Sequence, residues 1–166
     1  MDAFSALLAR DFKIALRSGG TWLLGLVFFA SFLTLAAIAL GGKFETLRPL
    51  AAPMIWMALI FAALLSFEQL FQTDADDGSL EHIKLAEPPL SLYVLAKAII
   101  HWVLTILPLL LALPIAALLF DLGGAQTAGL FFAVLIASPA VICYGAFSGA
   151  CLVGYKGGGM IIVLLT

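Results

Sequence analysis

The chain has 166 residues, of which 64% are hydrophobic and only 11% are charged, and its mean hydropathy is +1.17. Soluble domains carry roughly 25% charged residues, so this composition excludes an ordinary soluble domain and predicts an integral membrane protein. Eight Lys and Arg residues and ten Asp and Glu residues give a formal net charge of −2. This balance provides no basic surface, which excludes nucleic acid as a partner.

The first 18 residues predict an amphipathic helix that lies along the membrane interface. One helical face is apolar and the remaining surface is basic. The residues concerned are Phe4, Leu8, Phe12 and Ala15 on the apolar face, and Arg10, Lys13 and Arg17 around the other side. A simple cytoplasmic extension of the first membrane span is the alternative interpretation.

Four long apolar intervals predict membrane spans, because a helix needs about 20 apolar residues to cross the hydrocarbon core. They are residues 21–40, 51–70, 91–120 and 127–153. Another apolar stretch begins at Met160, so residues 160–166 predict the start of a truncated fifth span. The expected fold class is an all-α integral membrane bundle, with residues 1–166 as a single transmembrane domain.

The basic residues near the span ends are distributed unequally between the two sides of the membrane. One side holds Arg10, Lys13, Arg17, Lys84, Lys97 and Lys156, whereas the other holds Lys43 and Arg48. Basic residues concentrate on the cytoplasmic side of membrane proteins. We therefore expect the amino terminus to be cytoplasmic, together with the loop 72–90 between the second and third spans.

Residues 67–90 hold most of the acidic residues of the chain. Asp74, Asp76 and Asp77 predict a turn before Gly78, followed by a short helix that ends before two prolines. Clustered carboxylates suit Ca²⁺ or Mg²⁺, but these lack the ligand periodicity of an EF-hand loop, so no metal site is predicted. A solvated turn and a docking element for a soluble partner are the two interpretations that remain.

Glu68 and His101 fall within predicted spans, where ionisable side chains suggest function by default. Glu68 is expected at the cytoplasmic end of the second span, either as an interfacial carboxylate that reaches water or as a relay or gate. His101 is expected beside Trp102, near the cytoplasmic interface of the third span.

Prolines and small residues predict how the third and fourth spans pack. Pro108 and Pro114 are expected to bend the third span, because each proline removes a helical hydrogen bond. Gly145 and Gly149, four residues apart, form a stripe that permits close helix packing. The spacing leaves open whether this stripe meets another span or a second subunit.

Several stretches of the sequence carry a family resemblance. They are FEQLFQTDADDGSLE, AKAIIHW with Lys97 and His101, LPLLLALP with Pro108 and Pro114, and the longer runs APMIWMALIFAALLS and ASPAVICYGAFSGACLVGYKGGG. In this order they cover essentially the whole chain and resemble the heme exporter protein B family. That family is the membrane subunit of the ABC transporter of bacterial cytochrome c maturation.

The resemblance implies a permease of the ABC-2 type, with six spans in the complete protein and pairing as a homodimer or with a related subunit. It also implies a non-catalytic chain whose ATP is bound by a separate ATPase subunit. The sequence agrees, because no G-x-x-x-x-G-K-[ST] motif occurs. The residues expected to couple this permease to the ATPase are Asp77, Gly78, Ser79, Leu80 and Glu81.

The function implied by the resemblance is cytochrome c biogenesis in the bacterial inner membrane, driven by ATP hydrolysis in the partner. The expected outcome is either export of heme as cargo or release of a heme-loaded periplasmic chaperone. Expected partners are the ATPase, a heme-handling membrane protein, the chaperone and membrane lipid; no cofactor is bound directly. His101 is a candidate heme ligand, with a packing histidine as the alternative. A general ABC-2 exporter of lipid, polysaccharide or drug is the alternative function.

Overall fold

The structure, a computed structural model, describes residues 8–13, 20–67, 69–79 and 89–151. Within these residues the regular secondary structure is entirely helical. Residues 8–13 form an N-terminal helical segment. The helices that follow are α1 (Gly20–Ala39), α2 (Phe44–Phe67), α3 (Gln69–Asp76), α4 (Leu90–His101), a π-helical turn (Trp102–Ile106), α5 (Leu107–Leu119) and α6 (Gly124–Cys151).

Three helical stretches in the described part of the chain are long and apolar enough to cross a membrane. They are Phe44–Asp76 with 33 residues, Leu90–Leu119 with 30 and Gly124–Cys151 with 28, and Leu23–Ala39 is a shorter apolar helix. The chain is therefore an all-α membrane protein. Helix α2 begins seven residues before the predicted span at 51, because its first turns carry charges that a count of apolar residues omits.

The main hydrophobic core joins α1, α2, α5 and α6. Its buried side chains include Phe29, Leu33, Ile55, Leu59, Leu109, Leu113, Val134 and Ile142. Helices α1 and α2 approach closely, since a Cβ placed on Gly25 would lie 3.3 Å from the carbonyl oxygen of Ala62. Small residues at this contact let the two backbones come near each other, as is common between membrane helices.

A second, smaller core lies where α3, α4 and α6 meet. It contains Leu70 and Phe71 from α3, Tyr93 from α4 and Ala146 from α6. The rings of Phe71 and Tyr93 are 6.1 Å apart between centroids. This second core lies at the end of the bundle where α4 begins, outside the main core.

The turn expected at Asp74 to Asp77 begins later than predicted. Helix α3 continues through Asp76, and Gly78 with a φ of 75° follows it in the left-handed region that favours glycine. Asp74 lies one helical turn after Leu70, so it shares the face that packs on the second core. The prediction was wrong for Asp74, because the packing of Leu70 and Phe71 at helical spacing outweighs the preference of Asp for turns.

The π-helical turn interrupts the third apolar helix just before Pro108. Proline has no backbone N–H, so the carbonyl four residues earlier loses its ordinary α-helical partner. A π-helical turn, with hydrogen bonds five residues apart, absorbs one additional residue at such a point. Pro139, by contrast, lies within the continuous helix α6.

The stripe of Gly145 and Gly149 packs against residues of the same chain. A Cβ on Gly145 would overlap the ring of Phe67, and one on Gly149 would lie 3.0 Å from the Phe67 carbonyl oxygen and 3.5 Å from the Phe71 ring. Phe67 is only 1% exposed, so its ring has little room to move. The two glycines therefore let α6 approach the end of α2 and the start of α3.

Replacing Gly145 with Ala is expected to destabilise the protein by about 1–3 kcal/mol, because the new methyl group must displace a buried ring. The matched control is Gly129→Ala on the same helix, where an added Cβ meets nothing within 4 Å. Thermal unfolding of both purified variants in detergent, followed by circular dichroism, measures the difference. Equal unfolding temperatures for the two variants would contradict the packing described here.

Candidate functional site

A cluster of charged side chains lies where the N-terminal helical segment, α3 and α4 meet. We call it the buried charge cluster, and it consists of Arg10, Asp11, Asp74, Tyr93 and Lys97. The side chains of both aspartates are only 3% exposed, and that of Lys97 is 11% exposed. Charged groups are rarely buried unless they are paired, so these residues are the strongest candidate for a functional site.

Asp74 is the centre of the cluster. Its Oδ2 atom accepts a hydrogen bond from the Tyr93 hydroxyl at 2.5 Å and lies 2.8 Å from Nζ of Lys97. The guanidinium of Arg10 reaches the same oxygen at 3.4 Å. Burying a carboxylate costs several kcal/mol, which only close and multiple partners offset. One buried oxygen of α3 thus binds groups from two other parts of the chain, the N-terminal segment and α4.

Asp11 completes the cluster from the N-terminal segment. Arg10 donates to its Oδ1 atom from Nε at 3.0 Å, and a second guanidinium nitrogen lies 2.9 Å away. Its Oδ2 atom is buried without a hydrogen-bond partner, and Nζ of Lys97 lies 3.9 Å from it. That distance allows an electrostatic contact but is too long for a hydrogen bond. Two acidic and two basic groups together make the cluster electrically neutral.

The pKa of Arg10 is raised above its ordinary value. Burial alone would lower this pKa. The carboxylate of Asp11 and, less strongly, that of Asp74 raise it, and together they outweigh the effect of burial. Arg10 therefore stays charged throughout the physiological range. The predicted interfacial helix places Arg10 on its basic side, and the structure shows that the Arg10 guanidinium contacts Asp74 of the bundle.

The geometry of α4 explains how the cluster forms. Tyr93 and Lys97 are four residues apart, so both side chains project from one face of the helix. Nζ of Lys97 lies 5.8 Å from the centre of the Tyr93 ring, within the range of a cation–π contact. This face of α4 points towards α3, which brings the Asp74 carboxylate between the hydroxyl and the ammonium group.

His101 continues the same face one turn further into the bundle. Its Nε2 atom lies 2.9 Å from Oγ of Ser66 and 3.5 Å from Oγ1 of Thr105, and its ring is 5.6 Å from that of Phe67. Binding an iron atom through Nε2 would require the ring to leave Ser66. The assignment of His101 as a heme ligand stays a prediction. Its neighbour Trp102 donates a hydrogen bond to Oγ of Ser138 at 2.9 Å.

The predicted coupling residues are only partly within the described chain. Asp77 is exposed, and its Oδ1 atom accepts a hydrogen bond from the Ser79 backbone at 2.8 Å. Hydrogen bonding to Ser79 lowers the pKa of Asp77 below its ordinary value. Leu80, Glu81 and the intramembrane candidate Glu68 lie outside the described residues. Asp77 does not join the buried charge cluster, although it follows Asp74 by three positions.

Sequence reasoning missed most of the buried charge cluster. Asp11 and Tyr93 were not singled out, Asp74 was read as part of a turn, and Lys97 served only for orientation and resemblance. The available signal was Lys97 itself, a charge within an apolar span. The other members of the cluster could not be inferred from Lys97, because they come from distant segments. Arg10 and Asp74, for example, are 64 positions apart in the sequence.

The opposite end of the bundle carries an exposed ion pair. Arg48 binds Asp121 through both the carboxylate and the backbone carbonyl oxygen, the latter at 3.0 Å from Nε. Both side chains are about half exposed. A shallow cavity of ≈ 560 Å³ beside this pair is lined by Phe44, Glu45, Arg48, Pro49 and Gln126. Exposed pairs of this kind contribute little to stability.

Comparison with known proteins identifies the family. Residues 2–166 match the family model described as CcmB protein. The chain belongs to the CcmB family. Similar proteins named Heme exporter protein B occur in Rhodobacter capsulatus, at 39% identity over 160 residues, and in Haemophilus influenzae, at 40% over 162 residues. Another in Pseudomonas aeruginosa is 37% identical over 164 residues.

The matches cover nearly all of this chain and about three quarters of each CcmB-family relative. They cover 96%, 98% and 99% of this chain, and 73%, 73% and 74% of the respective relatives. All three relatives are bacterial. Together with the three apolar helices described above, the matches indicate that this CcmB-family chain is a bacterial membrane protein.

Replacing Asp74 with Asn is expected to destabilise the protein by about 3–5 kcal/mol, because it leaves buried cations without their carboxylate. Asp76→Asn is the matched control on the same helix, since Asp76 is exposed and its contact is with Gln72; a change within about 0.5 kcal/mol is expected there. Chemical unfolding in detergent measures both. A loss no greater for D74N than for D76N would show that the cluster does not stabilise this end of the bundle.

Proposed function

We propose that this chain is the membrane subunit of an ABC transporter complex for cytochrome c biogenesis. It couples ATP hydrolysis by a separate ATPase subunit to heme export or to release of a heme-loaded periplasmic chaperone. The observation that carries this proposal is the CcmB match over residues 2–166, with relatives named Heme exporter protein B at 36–40% identity. The chain itself is a non-catalytic permease subunit.

The topology that supports this function is an ABC-2 bundle in the bacterial inner membrane, with its amino terminus in the cytoplasm. The unequal distribution of basic residues supports that orientation. In it, the buried charge cluster, the exposed Asp77 and the half-buried Ser79 face the cytoplasm, where an ATPase subunit binds. The pair Arg48–Asp121 then lies on the periplasmic side, where a heme-handling protein or a chaperone would meet the complex.

Release of a loaded chaperone is the route that the bundle interior favours over passage of heme. An axial heme ligand needs a ring nitrogen that is open to the iron and held by a partner group. Within the described residues the one histidine is His101, and its Nε2 atom is engaged by Ser66. The charge cluster, in contrast, provides a direct mechanical connection between the cytoplasmic segment and the spans.

The first test of this function is a heme-stained gel of membranes from a strain that lacks the complete gene. We expect loss of every c-type cytochrome, and full recovery when the gene is restored. Normal staining in the deletion strain would refute a role in cytochrome c biogenesis.

Replacing Asp77, Gly78, Ser79, Leu80 and Glu81 by a Gly-Ser linker tests the coupling role. We expect loss of copurified ATPase, or loss of ATP hydrolysis that depends on the membrane subunit, because an exposed contact surface is removed. The matched control is Lys43→Ser in the turn between α1 and α2, at the opposite end of the bundle. Unchanged association together with unchanged hydrolysis in the linker variant would contradict a coupling role for this segment.

A further inference from the structure

The third apolar helix has two parts that pack in different cores. Before the π-helical turn, Tyr93 belongs to the second core with Leu70 and Phe71. Ile106, the last residue of the turn, and Leu109 in α5 belong to the main core. The π-helical turn Trp102–Ile106 therefore lies between a part of the helix that packs on α3 and α6 and a part that belongs to the main core.

Contacts between α3 and α4 are of three kinds. The ion pair joins Asp74 to Lys97 at 2.8 Å, the Tyr93 hydroxyl donates to the same carboxylate at 2.5 Å, and Phe71 packs on the Tyr93 ring. Asp74 is three positions from the exposed residue Asp77. We call residues 77–81 the coupling segment. A displacement of this segment thus reaches α4 directly through side-chain contacts with α3.

The π-helical turn is the point where α4 can change its orientation relative to α5. Converting a π-helical turn to α-helix changes the register by one residue, which rotates the preceding segment by about 100° and shifts it by about 1.5 Å. Pro108 favours the π-helical form of this turn, because it cannot supply one N–H that a regular α-helix uses. The hydrogen bond from Trp102 to Ser138 holds the turn against α6 and fixes the position of the pivot.

On this basis we propose that Lys97 is a positioning residue that transmits displacement of the coupling segment to the third span, and that α4 then pivots at the π-helical turn. This inference rests on the proposed function. Lys97 acts through its ion pair with Asp74. The charge of Lys97, more than its length, is what the mechanism requires, since its partner is a buried carboxylate.

The test uses the complete complex in cells, with Lys97→Met and Lys97→Arg compared with the control Lys43→Met. Each variant is measured for copurified ATPase, for ATP hydrolysis and for the yield of c-type cytochromes. We expect K97M to keep the ATPase bound and active while the cytochrome yield per ATP hydrolysed falls about tenfold. K97R, which keeps the charge, is expected to recover most of that yield, and K43M to match the wild type.

Pro108→Ala provides a second test that leaves the buried charge cluster intact, so it decides the matter even if K97M fails to assemble. It restores a backbone N–H and favours a continuous α-helix at the pivot. We expect P108A to assemble and hydrolyse ATP normally but to lose cytochrome yield, whereas Pro114→Ala, at an exposed proline in α5, retains it.

Normal cytochrome yield in P108A, or in an assembled K97M complex, would overturn the inference while leaving the proposed function standing. The proposed function fails separately, if the wild-type gene does not restore c-type cytochromes to the deletion strain. The two failures are therefore distinguishable within one set of strains.

Discussion

The ion pair between Asp74 and Lys97 is the interaction on which this end of the molecule depends. Neither charge would be tolerated alone in such a place, because an unpaired buried ion costs far more than a surface one. Each therefore requires the other, and Asp74 also binds Arg10 and Tyr93. The N-terminal helical segment, α3 and α4 are thereby fixed relative to one another. Hydrophobic packing alone, which is not directional, would not specify this arrangement.

The fold class follows from composition, because apolar content and the length of apolar runs decide whether a chain crosses a membrane. Helix ends are less predictable. Helix α2 starts at Phe44, before its apolar run, and α3 continues past the first aspartate of the expected turn. In both cases a helix extends through charged residues that an apolar count treats as boundaries. The packing partner of Gly145, which is Phe67 of the same chain, was likewise left open by the spacing.

The candidate site was only partly predictable for a different reason. Each member of the buried charge cluster looks ordinary in its local sequence: Arg10 and Asp11 lie on a helix predicted to be interfacial, and Asp74 lies among other acidic residues. What makes them exceptional is burial and mutual proximity, which depend on how three distant segments pack. A charge within an apolar span, such as Lys97, indicates that a partner exists without showing where it lies. Single sequences contain no direct record of such long-range pairs.

The two ends of the bundle hold their charges in different environments, one buried and one in contact with solvent. Arg48 and Asp121 are about half exposed, whereas the Asp74 carboxylate is almost fully enclosed. Dissolved ions screen exposed pairs over a Debye length of about 8 Å at physiological ionic strength and affect enclosed pairs much less. Ionic strength is therefore a variable that can loosen one end of this membrane protein selectively. A rise in ionic strength would weaken the contact between Arg48 and Asp121 and leave the contacts of Lys97 intact.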